Sequence, residues 1–358
     1  MKSSHLAALA ALFLIMVVAW YWVQRPETAK VTDLYQQVTG DFKTDDIKSI
    51  SARVLAHAEK GLELKKVKDG WVITLDRDGE RFPAPARKSK VERLVSLLRG
   101  LQGEVRAEGK EHLSTFGLEK GQGLEITLGD GKSSKLTLLV GMKGPDWGSC
   151  FVRLPDSDKV YLVSRDILSV FDIWSRRPEK ALDLQPWVDL DVISAYPGSI
   201  KECSYKSGSI AWSLESQKDS GKEDSKDGKT GKNKWIFEMN EKRHEKTDAE
   251  VSGYLSTILP LRARDIVPPS AVEKTGLSGA GKGGAISVFT YSVKSGPEAS
   301  VEITGCQKEK KFCLVKSRGY VFQVDMDWKN KLEHPFSKDK KDKKTGSGSG
   351  KKKSGSVK

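Results

Sequence analysis

Cysteine and histidine side chains are the groups in this sequence best suited to covalent, redox or metal chemistry, and the chain has four cysteines and five histidines. Cys306 and Cys313 have the most informative spacing, because six residues separate them at the tip of a predicted hairpin. That separation lets two facing strands bring the thiols together, and an oxidising compartment would let them join. We therefore predict a Cys306–Cys313 disulfide, although spacing alone leaves the connectivity of four cysteines open.

The remaining metal-binding residue types do not combine into a predicted site. A zinc site needs four ligands, and no second nearby cysteine pair accompanies Cys306 and Cys313. Cys150 and Cys203 are expected to be unpaired, small core residues. The histidines are far apart, and none falls in an HExxH pattern or another close metal-binding spacing: His5, His57, His112, His244 and His334.

Residues 276–283 read GLSGAGKG and nearly match the phosphate-binding loop G-x-x-x-x-G-K-[ST]. The last residue is glycine, so the hydroxyl that would hold Mg²⁺ is missing. A strand pattern follows, where a phosphate-binding helix would have to begin. We expect a connector here rather than a nucleotide site. The sequence also lacks a G-x-S-x-G nucleophile elbow, and we therefore predict no catalytic residue, no cofactor and no enzyme activity.

Two stretches of the chain match each other in order and in kind, which indicates an internal repeat. Residues 71–75 and 235–239 both follow W-x-Φ-x-Φ, where Φ is apolar, and a period of two is typical of a strand with one buried face. Their tryptophans are 164 residues apart, as are Gly141 and Gly305. The predicted strands are residues 62–64, 71–75, 124–128, 135–139, 150–153 and 160–163, against 210–214, 235–239, 286–293, 299–303, 313–316 and 320–324.

An amphipathic helix is predicted in each stretch, between the second strand and the third. Apolar residues recur there with spacings of three, one, three and three, which places them on one helix face. In the second helix, Thr247 and Glu250 predict a capping box at the start, and Pro260 predicts the end. The apolar residues are Val91, Leu94, Val95, Leu98 and Leu101 in the first helix and Val251, Tyr254, Leu255, Ile258 and Leu261 in the second.

These elements predict an α+β fold of two tandem β-β-α-β-β-β-β units, with mainly antiparallel sheets and one covering helix each. The connector is expected to be ordered and partly buried, because it contains Trp174 and Trp187. Residues 217–234 are too polar to pack and are expected to form a mobile loop. The expected boundaries are an anchor at 1–30, a first unit at 31–166, the connector at 167–196, a second unit at 197–330 and a disordered Lys-rich tail at 331–358.

The distribution of charge argues against nucleic-acid binding. The net charge is +13, but residues 337–358 hold nine Lys against two Asp and so contribute +7 of it. The rest is spread along the chain without a basic helix or an alternation of basic and aromatic residues. We expect a solvated tail, or a weak electrostatic contact of this tail with anionic lipid or envelope polymer.

The N-terminus contains an uncharged apolar run of 18 residues, at positions 6–23. At about 1.5 Å per residue, a helix of that length covers about 27 Å, enough to cross the hydrocarbon core of a membrane. Trp20, Tyr21 and Trp22 lie where a membrane interface would begin. A cleavable signal peptide ending at Ala19 is the alternative, but the apolar run continues past that residue, which favours an uncleaved anchor.

The charges that flank the apolar run decide its orientation only narrowly. Lys2 precedes the run, and Arg25 and Lys30 follow it. Because a short polar N-terminus usually stays in the cytoplasm, we expect a single-pass protein of the bacterial inner membrane with the bulk of the chain outside the cytoplasm. No lipobox cysteine follows the run, and a lipid anchor is not indicated.

The order of these features resembles DUF4340, a family of bacterial membrane-anchored proteins defined by a domain of unknown function. The features that carry the resemblance are the N-terminal span, the W-x-Φ-x-Φ strand, the F-G-L turn at residues 116–118, the strand end at Gly141, the strand at 160–163 and the connector at 176–184. The resemblance implies no activity. It implies neighbouring genes, because members are often encoded beside ABC-type transporters of the gliding-motility or efflux kind, together with a companion auxiliary protein.

Together these features predict a non-enzymatic, membrane-anchored envelope protein. Its expected role is that of an accessory component of an ABC-type transporter or gliding-motility-like complex, with transporter subunits or the companion auxiliary protein as partners and no nucleic acid. The alternative is an extracytoplasmic binding module for a cell-envelope polymer. Trp147 is the loop-like aromatic candidate for such binding, although a tryptophan there is more often a packing residue. An enzyme with a site between the two units has no positive support in the sequence.

Overall fold

The computed structural model describes residues 35–77, 79–217, 234–274, 287–294 and 296–337, together with Phe13, Met16, Val17 and Trp20. Four predicted features therefore lie outside the described residues, wholly or for the most part. They are the apolar run at 6–23, the polar loop at 217–234, the glycine-rich segment at 276–283 and the tail beyond residue 337. Within the described part of the chain, no helix has the length and apolar composition needed to span a membrane.

The chain divides into two compact units. The first comprises residues 1–75 and 83–189, and the second comprises residues 76–82 and 190–358. The division after residue 189 falls within the connector expected at 167–196.

A ten-stranded sheet forms the first unit except at residues 76–82, where β4 ends and β5 begins, and its order is β1-β6-β10-β9-β8-β7-β2-β3-β4-β5. Neighbouring strands pair in the antiparallel sense, for example β2 with both β3 and β7. The strands are β1 (Tyr35–Gln37), β2 (Ser49–Val54), β3 (Gly61–Val67), β4 (Gly70–Arg77), β5 (Glu80–Pro85), β6 (Gln102–Glu108), β7 (Leu124–Gly129), β8 (Ser134–Lys143), β9 (Cys150–Arg153) and β10 (Lys159–Val163).

Helix α1 (Lys88–Leu98) belongs to the first unit. The predicted helix is confirmed, and its buried residues are Val91, Leu94, Val95 and Leu98. Leu101, which was also predicted on this helix face, is buried but lies beyond the end of the helix. Each buried aliphatic side chain stabilises the fold by about 1.5–3 kcal/mol relative to an exposed one. The helix packs against the short helix α2 (Ile167–Val170), and Trp187, in the 3₁₀ helix Gln185–Trp187, is fully buried.

A nine-stranded sheet forms most of the second unit, in the order β15-β14-β13-β12-β18-β19-β20-β21-β17. A separate two-stranded sheet pairs β11 (Asp191–Ile193) with β16 (Leu261–Arg262). The nine strands are β12 (Ile200–Ser207), β13 (Ile210–Gln217), β14 (Lys234–Met239), β15 (Lys242–Lys246), β17 (Asp265–Val267), β18 (Ser287–Val293), β19 (Glu298–Gln307), β20 (Phe312–Ser317) and β21 (Tyr320–Asp325).

Helix α3 (Asp248–Ile258) begins at the predicted capping box. The Thr247 hydroxyl accepts from the Glu250 backbone N–H, and the Glu250 carboxylate accepts from the Thr247 backbone N–H. The helix ends two residues before Pro260, near the predicted end, but Leu261, predicted on its apolar face, lies in strand β16 instead. A shorter helix, α4 (Pro269–Lys274), follows it in the chain.

Helix α5 (Met326–Glu333) corrects the expected start of the tail at residue 331. Trp328 and Leu332 lie four residues apart on one helix face, and both are buried. Both residues also form a hydrogen bond. Trp328 Nε1 donates to the Ile258 carbonyl at 3.0 Å, and the Leu332 carbonyl accepts from Trp212 Nε1 at 2.7 Å. The ordered unit therefore continues past residue 330 because the helix has its own buried face.

The number of strands also differs from the expectation. Six strands were predicted per unit, whereas the two large sheets have ten and nine. Two of the missed strands lack a strong apolar alternation: β15 reads KRHEK, and β5 contains Pro83 and Pro85. Both lie at sheet edges, where a strand is hydrogen-bonded to a neighbouring strand on one side only. The fold class is α+β, dominated by antiparallel sheets with few helices.

Gly141 gives a test of packing in the first unit. A Cβ there would lie against the carbonyl oxygen of Phe116 and 2.8 Å from Leu118 Cγ, so Gly141→Ala should lower the free energy of unfolding by about 3 kcal/mol. Gly40→Ala is the matched control, because a Cβ at Gly40 would meet no atom within 4 Å. Chemical denaturation of the two variants measures the difference, and equal stability would contradict the packing described for this strand.

Candidate binding surface

The loop between β8 and β9 places Trp147 in solvent. Its side chain is 95% exposed, so the expectation that this residue packs against the fold is wrong. The loop itself is ordered by hydrogen bonds at its base. Gly144 N donates to Ser149 O at 2.9 Å, and both the backbone N–H and the hydroxyl of Ser149 donate to Asp146 O, at 3.1 and 2.8 Å. Trp147 therefore lies at the tip of a turn that these hydrogen bonds hold in place.

A second exposed tryptophan lies in the segment that follows α2. Trp174 is 64% exposed, in contrast to the buried Trp187 of the same connector. An ion pair between Lys90 and Asp172 anchors the segment just before Trp174, and the Lys90 ammonium also lies 5.1 Å from the ring centre of Trp187. The connector is thus buried at one end and carries an exposed indole at the other.

Lys143, the last residue of β8, joins the two indoles into one surface. Its Nζ lies 6.0 Å from the ring centre of Trp147 and 5.4 Å from that of Trp174, which are cation–π distances. The same Nζ donates to Trp174 O at 3.2 Å, and the backbone N–H of Lys143 donates to Arg176 O at 2.9 Å. We call Lys143, Trp147, Trp174 and Arg176 the tryptophan surface.

A small cavity lies beside the F-G-L turn of the first unit. Its volume is about 320 Å³, at the lower end of the range for small-molecule sites. Gly117 ends the 3₁₀ helix Lys110–Phe116 with a left-handed φ of 68°, and the cavity is lined by Gly117, Gln122 and Arg177 among others. Gln122 Oε1 is buried and has no hydrogen-bond partner in the described part of the chain. The cavity can hold a small polar group but brings together no catalytic set.

The structure joins Cys306 and Cys313 in a disulfide. The two residues are direct partners in the register of β19 and β20, with Cα atoms 4.0 Å apart. Cys150 and Cys203 are free and buried, and burial raises the pKa of both thiols to about 12. A thiol with so high a pKa is not ionised at neutral pH and is a poor nucleophile or metal ligand.

Histidines and acidic residues do not assemble into a metal site within the described residues, where no group of three or more potential ligands occurs. His57 Nε2 lies 3.0 Å from the Glu179 carbonyl, and His112 lies beside Glu111 on the surface. His244 is exposed on the edge strand β15. His5 and the glycine-rich segment at 276–283 fall outside the described residues.

The carboxyl groups with the clearest pKa shifts have structural roles. Backbone N–H groups of Ser133 and Lys132 hold the pKa of Asp130 well below its usual range, in a tight turn. A backbone hydrogen bond from Thr247 lowers the pKa of Glu250 in the capping box, and one from Asp327 lowers that of Asp325 at the start of α5. These shifts keep the carboxylates ionised as hydrogen-bond acceptors, and none supplies a general acid for neutral pH.

Alkylation followed by mass spectrometry tests the state of the cysteines. In folded, unreduced protein we expect iodoacetamide to modify no cysteine at neutral pH, because two are bonded and two are buried as thiols. Denaturation without reductant should allow two additions, at Cys150 and Cys203, and prior reduction should raise the number to four. Four additions without reductant would contradict the disulfide.

Comparison with known proteins gives one match. The family model described as domain of unknown function (DUF4340) matches residues 79–279, which is more than half of the chain. Neither the curated proteins nor the solved structures give a match. The match spans β5 to α4 and continues beyond them, and it includes the F-G-L turn, Gly141 and the connector on which the resemblance in sequence was based. The chain is a member of the DUF4340 family.

Proposed function

We propose that this chain is a non-enzymatic protein of the bacterial envelope, anchored in the inner membrane, that acts as an accessory component of an ABC-type transporter or gliding-motility-like complex. The observation that carries the proposal is the exposed apolar character of the described N-terminal residues. Phe13, Met16, Val17 and Trp20 are helical, and their side chains are 44–66% exposed. They belong to the uncharged apolar run at residues 6–23, whose exposed side chains a membrane would bury.

The disulfide supports a location outside the cytoplasm. Disulfides persist in oxidising compartments and are rare in the cytosol of most bacteria. Cys306 and Cys313 belong to the second unit, far along the chain from the proposed anchor. The bulk of the chain would therefore lie on the periplasmic or extracytoplasmic side, with the N-terminus in the cytoplasm.

We also propose that the two large sheets are copies of one structural unit. Support comes from their strand orders: β6-β10-β9-β8-β7-β2-β3-β4-β5 in the first corresponds strand for strand to β17-β21-β20-β19-β18-β12-β13-β14-β15 in the second. Trp71 and Trp235 lie in the corresponding strands β4 and β14, and α1 and α3 follow the next strand in each case. A duplicated scaffold of this kind suits an accessory protein, because it offers two related surfaces to partners.

The accessory role itself is supported by family membership. DUF4340 is a domain of unknown function, and the resemblance implies transporter genes as frequent neighbours. The described acidic and thiol groups with shifted pKa values have structural explanations, which supports a non-enzymatic role. Transporter subunits or the companion auxiliary protein are the proposed partners.

Membrane fractionation and affinity capture test this proposal together. The full chain should sediment with the inner membrane and retain residues 1–19 in its intact mass, whereas a chain lacking residues 6–23 should not be retained. A reporter at the C-terminus should be active only outside the cytoplasm. Capture from native membranes in mild detergent should recover transporter subunits, and recovery of none would argue against the accessory role.

A second candidate function is that of a binding module for a cell-envelope polymer. The specific observation that favours it is the exposure of Trp147, whose side chain lies almost fully in solvent at the tip of a loop held by hydrogen bonds at its base. Contiguous exposed apolar patches often mark a binding site, and Trp147 shares the tryptophan surface with the exposed Trp174. The two functions are compatible, because an anchored accessory protein can also contact the cell wall.

Co-sedimentation with purified cell-wall sacculi tests the second candidate. We expect the full chain, held in detergent micelles, to sediment with sacculi in a saturable manner. The matched control is an unrelated single-pass protein of similar charge, which should stay in the supernatant. Absence of saturable sedimentation at physiological salt would remove the polymer-binding function.

A further inference from the structure

We infer that the tryptophan surface binds an acidic glycan, with sugar rings stacked on the indoles of Trp147 and Trp174 and an anionic substituent held by Lys143 and Arg176. The inference rests on the second candidate function, polymer binding, and names its site and ligand class. All four residues belong to the first unit.

The two indoles are placed to stack against neighbouring sugar rings. Lys143 Nζ lies within 6.0 Å of one ring centre and 5.4 Å of the other, so the two centres are no more than about 11 Å apart. A segment of two or three linked sugar rings can reach both indoles within this upper limit. The 95% and 64% exposure of the side chains leaves indole surface available for the C–H groups of a sugar.

The cations of this surface favour an anionic ligand. An ammonium has three N–H donors, and Lys143 uses one of them on Trp174 O, which leaves two for a carboxylate or phosphate. Arg176 is exposed, and its carbonyl is fixed to the Lys143 backbone, so its guanidinium extends from the same segment. The nearby Asp172 carboxylate is neutralised by its ion pair with Lys90, and the exposed Asp146 carboxylate offsets only one of the two cations Lys143 and Arg176.

The chemistry around the indoles favours a soluble glycan over a lipid bilayer. A loop that inserts into a membrane needs aliphatic neighbours around its aromatic tip, and Asp146 directly precedes Trp147 instead. Trp147 and Trp174 are among the described residues with exposed large apolar side chains, and Lys143 lies between their rings. Two indoles beside charged residues suit sugar stacking better than deep insertion among acyl chains.

The surface is largely ordered before any ligand binds. The loop is closed by the hydrogen bonds of Gly144 and Ser149, and a Cβ at Gly144 would lie 2.6 Å from Leu162 Cδ1. Lys143 is held by contacts to both Trp174 and Arg176. A preordered site loses little conformational entropy on binding, so more of the contact energy contributes to affinity.

The test uses the full chain in detergent micelles and defined probes. Alginate oligosaccharides supply sugar rings with carboxylates, dextran oligosaccharides supply neutral rings, and poly-glutamate supplies carboxylates without sugars. Isothermal titration should show binding of alginate. Trp147→Ala and Trp174→Ala should each weaken it by about three- to tenfold, the range expected for loss of one aromatic contact. Lys143→Gln should remove the preference for alginate over dextran.

Tyr196→Ala is the matched control, because Tyr196 is a 67% exposed aromatic residue of the second unit, outside this surface. It should bind alginate as the parent chain does, and all variants should keep the parental melting temperature, since the substituted aromatic side chains are exposed. Equal binding of poly-glutamate and alginate would overturn the inference in favour of simple ion exchange. Tryptophan-dependent binding to phosphatidylglycerol vesicles without alginate binding would overturn it in favour of a membrane contact.

Failure of the inference and failure of the polymer-binding function give different results. If the parent chain sediments with sacculi and the tryptophan variants do so equally well, the polymer is bound elsewhere, and the inference is wrong while the function stands. If the parent chain binds neither sacculi nor any glycan probe, both are wrong.

Discussion

The close approach of two backbone segments at Gly141 is the constraint on which the first unit depends. The F-G-L turn crosses β8 at this residue, where even one methyl group would meet the Phe116 carbonyl and the Leu118 side chain. Leu118 is fully buried in a cluster with Leu113 and Val160. β8 ends two residues further along, at Lys143, so the tightly packed position and the tryptophan surface lie on the same strand.

Large aromatic residues have a different role in the second unit, where they close the ends of helices. The last carbonyl groups of a helix lack partners within it, and a buried carbonyl without a partner is costly. The indole N–H of Trp328 satisfies Ile258 in α3, and that of Trp212 satisfies Leu332 in α5. Trp212 also packs edge-to-face on Tyr254. Tryptophan can fill the core and satisfy a polar group at once, which leucine cannot.

Local chemistry determined which parts of this structure could be predicted from the sequence. The α1 and α3 faces follow from apolar periodicity, and the Thr247–Glu250 capping box follows from two residue types at one spacing. The short or polar strands were missed because hydrogen bonding to a neighbour, and not apolar alternation, holds them in the sheet. The exposure of Trp147 could not be predicted either, since residue type indicates a preference for burial and only the folded loop shows that no partner covers this ring.

The protected edges of the two sheets bear on the proposed anchoring of the chain in a membrane. Anchoring confines copies of a chain to a thin layer, where encounters between neighbours are frequent. An open strand edge would then pair with the next copy and grow into an aggregate. The charged strand β15, the prolines of β5 and the three-residue strands β1 and β17 give each sheet a poor template for such growth. Charged, proline-containing and short edge strands give only a weak strand pattern in the sequence. The same features would keep the sheets of neighbouring anchored copies from pairing with each other.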